Sequence, residues 1–255
     1  MTKNIDFNYV ADLYDYYVNV DFDVAFYKDF CKNYKNILEL MCGTGRVSLP
    51  LIRAGYSLTC VDYSEDMLRV FRGKLNASDN VTIICQDVCN LALGKTYDLI
   101  MIPFNSIAEI TDADMRQQAI HAIYDHLAPG GTFFCTLYNP AYRIKSADGN
   151  MKPLGKFQLN DGKTMIVTYY NTHSEKDKLI SGTQFYEIYD KQNHMIEKRF
   201  LDIRFSVISK QEMLSMADEI GLFLKEIYGD YQRTPFTDES PFMNFVFETR
   251  RGHAE

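Results

Sequence analysis

The stretch "NILELMCGTGRVSLP", residues 36–50, constrains the fold more than any other part of the chain. It reads as a short apolar strand, a turn containing Gly43 and Gly45, and the start of a helix. Glycine lets such a turn bring the backbone close to a ligand, with N–H groups exposed toward it. A helix that follows a strand returns the chain to a parallel neighbour by a right-handed crossover. The stretch therefore predicts the first unit of an α/β sheet with a ligand at its edge.

Strand and helix patterns alternate through the first 140 residues. Two amphipathic helices over about 10–18 and 24–34 precede strands over 37–41, 57–61, 81–85, 98–103 and 132–138. Ser64 and Ser209 begin later helices, because serine caps helix N-termini and Glu212 completes a capping box with Ser209. Strands over 223–228 and 242–249 follow. We therefore expect an open α/β sheet covered by helices on both faces.

Residues 163–207 break this alternation. They contain three runs in which apolar and polar residues alternate, separated by the polar turns "HSEKDK" and "DKQNH". In the last run Leu201, Ile203, Phe205 and Val207 share one face. A period of two residues is typical of strands with one buried face. The pattern predicts a three-stranded antiparallel meander inserted into the α/β core, near the edge where such sheets bind ligands.

The glycine turn does not match the motifs that bind phosphates. A dinucleotide fingerprint needs a third glycine where this chain has Ser48, and no Gly-Lys-Ser/Thr of a P-loop follows. Instead, Glu39 lies just before the turn, and Asp62 and Asp87 end the second and third strands. An acid after the second strand can accept both hydroxyls of a ribose. These acids suit a ligand with a cationic end, a ribose and an adenine, such as S-adenosylmethionine.

The chain resembles the class I S-adenosylmethionine-dependent methyltransferases, in particular the branch that acts on small molecules. The resemblance rests on five segments in order: "LELMCGTGR", "VDYSEDML", "CQDV", "YDLIMIPFNSI" and "LAPGGTF". Met41 stands where that family often has the first glycine of the turn. The resemblance implies a Rossmann-like α/β sheet of seven mainly parallel strands, the last antiparallel, with the meander inserted. It also implies S-adenosylmethionine as cofactor and S-adenosylhomocysteine as product.

The resemblance also implies a division of the chain and a set of cofactor contacts. We expect one methyltransferase domain over residues 1–255, with a helical lid over 1–34 and an insert over 141–208 that covers the acceptor site. Glu39 is expected near the methionyl ammonium, Asp62 on the ribose hydroxyls and Asp87 on the adenine amino group. The expected cofactor-binding residues are Tyr14, Glu39, Met41, Gly43, Gly45, Arg46, Asp62, Tyr63, Met67, Gln86, Asp87, Val88, Pro103 and Phe104. Core packing is the alternative for Met67 and for Tyr14.

The acceptor site is expected between the N-terminal helix, the loop after the fourth strand and the meander. Asn105, Tyr17 and His173 are the candidate catalytic residues. Core packing is the alternative for Tyr17, and a solvated surface position is the alternative for His173, which adjoins a polar turn. The candidate acceptor contacts are Tyr138, Asn139, Tyr170, Arg204 and Tyr231.

Charge and motif content exclude other classes of partner. The net charge is −7, which argues against binding to nucleic acid or to an anionic membrane surface. The loop after the fourth strand reads "IPFN" and lacks the Asn/Asp-Pro-Pro-Tyr/Phe and Pro-Cys motifs of nucleic-acid methyltransferases. Cys85 and Cys89 lack a second pair of metal ligands, so we expect no metal. Without a signal-type segment or an apolar run of 18 residues, we expect a cytoplasmic protein.

The expected function is N-methylation of a small amine by in-line displacement. The alternatives are O- or C-methylation of a small metabolite and methylation of a protein or peptide that docks on the meander. Two further alternatives match the motifs less well: a non-catalytic nucleotide-type binding module, and a catalytically silent scaffold that keeps the cofactor pocket. The exposed strand edges of the meander also suggest a homodimer, which a single-subunit mass in solution would exclude.

Overall fold

A seven-stranded sheet runs through the centre of the structure, a computed structural model that describes residues 5–249. Its order is β10-β11-β5-β4-β1-β2-β3, and β11 runs antiparallel to both of its neighbours. The strands of the chain are β1 (Ile37–Leu40), β2 (Leu58–Asp62), β3 (Val81–Cys85), β4 (Tyr97–Ile102), β5 (Leu127–Tyr138), β6 (Lys152–Gln158), β7 (Thr164–Ser174), β8 (Leu179–Tyr189), β9 (Met195–Ser206), β10 (Leu222–Tyr228) and β11 (Phe242–Thr249). The predicted fold class, a mainly parallel sheet with an antiparallel last strand, is confirmed.

The strand order reverses between β1 and β4. The chain places β2 and β3 on one side of β1, and β4 and β5 on the other, all in parallel. Loops that leave the carboxyl ends of β1 and β4 therefore run in opposite directions. Open α/β sheets bind ligands in the crevice that this divergence creates.

Helices cover both faces of the central sheet. They are α1 (Ala11–Tyr17), α2 (Val24–Phe30), α3 (Ser48–Arg53), α4 (Glu65–Arg72), α5 (Ala113–Asp125), α6 (Pro140–Lys145) and α7 (Lys210–Asp218). The predicted caps are present, since the Ser64 side chain accepts the Met67 N–H and Ser209 forms a capping box with Glu212. Within residues 5–249, no helix is long and apolar enough to cross a membrane.

Three predicted helices differ in their bounds. The first begins with a 3-10 turn over Phe7–Val10, and the second ends at Phe30 and continues as a 3-10 turn over Cys31–Asn33. The helix after the glycine turn, expected from the sequence over 46–54, is shorter and begins at Ser48, because the turn extends to Val47.

Side chains along β1 alternate between two cores. Leu38 and Leu40 pack with buried residues of α5 and α7, whereas Ile37 packs with residues of α2, α3 and α4. Because side chains two positions apart share a face, Glu39 projects toward the same side as Ile37. A carboxylate is thus placed inside an apolar layer, where it needs a hydrogen-bond partner.

The inserted sheet has four strands, one more than predicted. Its order is β6-β7-β8-β9, with each neighbouring pair antiparallel. The additional strand β6, "KPLGKFQ", contains Pro153 and Gly155 and pairs through an irregularity between them. Proline and glycine are typical of edge strands and bulges, and they hide the alternation by which the other three were recognised. Met165 and Val167 of this sheet pack against Val10 and Leu13 of the N-terminal segment.

Candidate functional site

The glycine turn between β1 and α3 needs an unusual backbone. Met41, Gly43 and Gly45 have φ values of 56°, 55° and 81°, in the left-handed region that favours glycine. The Gly45 Cα packs against Phe71 of α4, so that a Cβ there would overlap the aromatic ring. Glycine is therefore needed at position 45 both for the positive φ of the backbone and for the close packing against Phe71.

Asp62, at the end of β2, joins this turn to the next one. Its carboxylate accepts the Gly43 N–H at 2.8 Å and the Ser64 N–H at 2.9 Å. Burial raises the pKa of the Asp62 carboxyl, while these N–H bonds act to lower it. An ionised carboxylate offers about four acceptor positions, so capacity remains for two further donors.

Glu39 lies beneath the glycine turn and is 2% exposed. The Ser48 hydroxyl donates a hydrogen bond of 2.6 Å to its Oε2. Burial raises the pKa of Glu39 to about 7, against the opposing effects of Ser48 and Arg46. Ser48 thus occupies the position of the third fingerprint glycine and gives the buried acid its hydrogen bond.

Two small cavities flank Met41. The first, which we call the β2–β3 cavity, has a volume of about 20 Å³ and is lined by Met41, Val61, Asp62, Tyr63, Gln86, Asp87, Val88, Cys89, Glu109 and Ile110. The second, the glycine-turn cavity, has about 40 Å³ and is lined by Tyr14, Glu39, Met41, Cys42, Gly43, Thr44, Arg46, Val47, Pro103, Phe104 and Ser106. Every predicted cofactor residue except Gly45 and Met67 lines one of them. Met67 is 3% exposed and packs beneath Gly43. This position fits core packing, the alternative to its predicted cofactor contact.

The N-terminal segment covers the glycine turn. Thr44 donates a 2.6 Å hydrogen bond to Asp15 of α1, and Lys74 pairs with the same carboxylate at 2.7 Å. Tyr63 donates to the Ile5 carbonyl. These contacts hold Tyr14 over the cavity, where burial raises the pKa of its hydroxyl above the usual range.

The same segment is bound to the inserted sheet on its other side. Arg199 of β9 forms a salt bridge with Asp12 at 2.6 Å, and the Tyr186 hydroxyl donates to the Tyr17 hydroxyl at 2.9 Å. The N-terminal segment therefore contacts both sheets.

Arg46 is already neutralised within the protein. Both of its terminal nitrogens donate to Asp23 at 2.7 Å, and Asp23 is fully buried. The guanidinium also lies 4.4 Å above the centre of the Phe104 ring. Of the charged groups that line the two cavities, the acids Glu39, Asp62, Asp87 and Glu109 form no ion pair with the described residues, so the site as a whole favours cations.

The structure separates the three candidate catalytic residues. Asn105 has a φ of 64°, and its side-chain oxygen accepts the Tyr138 N–H at 2.9 Å, which joins the β4 loop to β5. Tyr17 forms the contact with Tyr186 described above. His173 lies on β7 outside the cavities described here, because it projects from the opposite face to Thr172, a cavity residue. Core packing for Tyr17 and a position outside the cavities for His173 were the alternatives to their catalytic roles, and all three catalytic assignments stay predictions.

The acceptor candidates divide into two groups. Tyr170 and Arg204 line a large open cavity of about 1120 Å³, the insert cavity, whose wall also includes Tyr63. Tyr138 packs against Phe242 and lies beneath Arg143, and it lines only a cavity of about 10 Å³.

Asn139 and Tyr231 are structural in this fold. Asn139 caps α6 and donates to the carbonyls of Asp238 and Ser240, both at 2.8 Å. Tyr231 is 7% exposed within a cluster of aromatic rings, including Phe26. Their hydrogen-bonding atoms and ring faces are used by the protein itself, which replaces the predicted acceptor contacts.

Sequence reasoning missed Glu109. It ends the 3-10 helix Ser106–Glu109 and lines the β2–β3 cavity beside Asp62. Burial and the negative charge of Asp62 raise its pKa to about 8. No periodicity in "FNSIAEI" shows which way a residue of a single 3-10 turn projects, so the sequence carries no signal for it.

Similar proteins are methyltransferases. Residues 37–131 match the family model described as a methyltransferase domain. A cypemycin N-terminal methyltransferase from a Streptomyces species is 26% identical over 214 residues, which cover 84% of this chain and 83% of that protein. A malonyl-[acyl-carrier protein] O-methyltransferase from Bacillus cytotoxicus is 31% identical over 147 residues, 54% of this chain and 50% of its own. The solved structure of the CcbJ methyltransferase from Streptomyces caelestis has a TM-score of 0.79, is 25% identical and covers 95% of this chain and 96% of that one.

The packing at Gly45 predicts a large effect of a single methyl group. G45A should lower the free energy of unfolding by at least about 3 kcal/mol, because positive φ and overlap with Phe71 add. G55A is the matched control: its φ is also positive, but no atom lies within 4 Å of the added Cβ, so about 1–2 kcal/mol is expected. Urea unfolding measures both losses, and equal losses would show that Phe71 can move aside.

The raised pKa of Glu39 predicts a dependence of stability on pH. The native carboxyl holds its proton up to about pH 7, whereas the unfolded one loses it near 4.5, so stability falls as pH rises through this range. Between pH 5 and pH 8, the wild type should lose on the order of 2 kcal/mol more than E39Q. E175Q, at an exposed acid in the turn after β7, should follow the wild type. Parallel pH profiles for wild type and E39Q in urea unfolding would contradict the assignment.

Proposed function

Because the chain belongs to the class I S-adenosylmethionine-dependent methyltransferases, we propose that it methylates the amino nitrogen of a small molecule by in-line displacement. The proposal of a small acceptor rests on the insert cavity, which shares the wall residue Tyr63 with the β2–β3 cavity. Its volume of about 1120 Å³ lies near the upper end for sites that enclose small molecules.

The residues present fit S-adenosylmethionine, which supplies a methyl group on a positively charged sulfur. We propose that Asp62 accepts the ribose hydroxyls with its remaining lone pairs and that Asp87 accepts the adenine amino group. Glu39 is proposed to face the methionyl ammonium from beneath the glycine turn. Arg46 is the cationic residue in the walls of these two cavities, and it is paired with Asp23. A phosphate would therefore meet acids without an unpaired cation in these walls, which disfavours a dinucleotide.

An amino nitrogen is favoured over a hydroxyl as the acceptor atom. The relative named for N-terminal methylation matches over 84% of this chain and 83% of its own length, whereas the O-methyltransferase relative matches over about half of each. The negative potential of the site also favours a cationic amine over a neutral alcohol. O-methylation remains the second candidate on the strength of that relative.

The insert cavity supports a polar acceptor. Its walls carry the hydroxyl groups of Thr172, Ser181 and Thr183, and a carboxylate and a guanidinium from Asp202 and Arg204. Such walls can bind several polar groups at once, with the aromatic rings of the same cavity available for apolar contact. We propose that residues 141–208 cover the acceptor in this way.

We also propose that residues 1–34 act as a lid on one domain that spans the chain. The β2–β3 and glycine-turn cavities, at about 20 and 40 Å³, are far below the ~300 Å³ typical of ligand sites. Cofactor entry therefore requires the part of the lid around α1 to move, and this movement would break the contacts of Ile5, Asn8 and Asp15 with the edge of the central sheet.

The ribose assignment predicts a loss of cofactor affinity in D62N. Replacing the carboxylate removes charge-assisted hydrogen bonds, so S-adenosylhomocysteine should bind about 30-fold more weakly, or about 2 kcal/mol. D114N, at an exposed acid near the start of α5, is the matched control and should bind within threefold of wild type. Calorimetry measures both, and unchanged affinity in a folded D62N would contradict the assignment.

The proposed function predicts which atom receives the methyl group. With S-adenosylmethionine and pairs of small acceptors that differ by an amino group in place of one hydroxyl, such as glucosamine and glucose, mass gain of one methyl should be found in the amine member of a pair. Fragmentation then locates the methyl on nitrogen. Transfer to the alcohol members alone would contradict N-methylation and favour the second candidate.

A further inference from the structure

We propose that the carboxylate of Glu109 binds the amino nitrogen of the acceptor and receives the proton that this nitrogen loses before methyl transfer. The inference rests on the proposed N-methylation and names the residue that binds the acceptor in that reaction. Its grounds are the position of Glu109 in the cavity that shares wall residues with the other two, the lack of a protein partner for its carboxylate among the described residues, and the direction in which charge moves during the reaction.

Glu109 lies where the parts of the site meet. It lines the β2–β3 cavity, which shares Met41 with the glycine-turn cavity and Tyr63 with the insert cavity. The sulfur of S-adenosylmethionine joins its ribose to its methionyl chain, so with the proposed contacts it would fall between the two cofactor cavities. An acceptor in the insert cavity therefore reaches the methyl group through the space beside Tyr63 and Glu109.

The backbone around Glu109 is held firmly. The 3-10 helix that carries it follows Asn105, whose side chain is bonded to the Tyr138 N–H. Ile107 and Ala108 are fully buried in the core beneath it. A side chain on such a support is preorganised toward the cavity and loses little entropy on binding a ligand.

The protein provides this carboxylate with no cation. Among the described residues, Glu109 forms no hydrogen bond or ion pair, and the charge that acts on it is that of Asp62, which has the same sign. Its own charge raises the pKa of Tyr14 and Tyr63, so these hydroxyls lie in the same space. Glu109 is partly buried, and its raised pKa means that it holds a proton near neutral pH when no cation is beside it. A cationic ligand would favour the ionised form and pair with it.

The movement of charge during the reaction indicates that the cation beside Glu109 is the acceptor and not the cofactor. During transfer the sulfur loses positive charge and the nitrogen gains it. A carboxylate paired with the sulfur would stabilise the reactants more than the transition state, whereas one beside the nitrogen stabilises the transition state more. An N–H group can also donate a hydrogen bond to the carboxylate, which a sulfonium cannot.

The proton balance is simple. An ammonium acceptor gives one proton to the Glu109 carboxylate, which becomes a carboxylic acid, and the nitrogen gains a free electron pair. That pair forms the new N–C bond as the C–S bond breaks, and the bonding electrons of C–S stay on sulfur to give neutral S-adenosylhomocysteine. The product nitrogen is again cationic and loses a proton to solvent, as does Glu109 after release.

The experiment uses methylammonium chloride as a minimal ammonium probe. In the full-length protein saturated with S-adenosylhomocysteine, methylammonium should raise the unfolding temperature of wild type by roughly 2 °C over equal potassium chloride. In E109Q this difference should vanish, while E175Q, an exposed Glu→Gln change outside the site, should respond as wild type does. An absent response in wild type, or one that survives in E109Q, would overturn the proposal.

A second readout separates the acceptor from the cofactor. E109Q should change the affinities for S-adenosylmethionine and S-adenosylhomocysteine by the same factor, because the proposed partner of the carboxylate is the acceptor nitrogen and not the sulfonium. If E109Q loses tenfold or more in affinity for the sulfonium form alone, Glu109 pairs with the cofactor and the proposal is wrong. Transfer to alcohols and not amines would end the proposed N-methylation, yet the methylammonium response would still decide whether Glu109 binds an ammonium.

Discussion

The two hydrogen bonds that the Asp62 carboxylate accepts hold the functional edge of this protein together. One comes from Gly43 in the turn after β1 and the other from Ser64 at the start of α4. The Asp62 backbone carbonyl also accepts the Gln86 N–H after β3, at 3.0 Å. The ends of three parallel strands are thereby fixed to one residue, and the positive φ values of the glycine turn follow from the need to present Gly43 to it. Together with the bonds from Cys42 N–H to the Val61 carbonyl and from Gly45 N–H to the Cys42 carbonyl, this contact fixes the shape of the turn.

The electrostatics of the site follow from burying acids where the strands end. Glu39 is satisfied by Ser48, Asp62 by two backbone N–H groups and Asp87 by the Cys89 N–H. The cation nearest to them, Arg46, is paired with Asp23. The β2–β3 and glycine-turn cavities thus carry acids without an ion-pair partner among the described residues. A cation bound there would favour the ionised forms of Glu39 and Glu109, which suits a positively charged methyl donor.

The sequence predicted the sheet well because its signals are local. Strands β3 and β11 match their predicted bounds, and the serine caps at Ser64 and Ser209 are present, since capping chemistry depends on residues three apart. Most of the predicted cofactor residues were also local, at a strand end or in the glycine turn, whereas Tyr14 and Met67 lie on α1 and α4. Strand β6 was missed because Pro153 and Gly155 mask its alternation, and its pairing depends on β7, which lies elsewhere in the sequence.

The sequence by itself determined the α/β order, the edge of the sheet that binds the cofactor and the acids along that edge, because each depends on a period or a spacing within about ten residues. Tertiary structure alone decided which side chains are left for the acceptor. Asn139 and Tyr231 form hydrogen bonds with residues about 100 positions away along the chain. Glu109, on a single 3-10 turn, lies beside Asp62, which belongs to a different strand. Whether a polar side chain is satisfied or free is a property of its neighbours in space, and those neighbours are set only when distant segments pack.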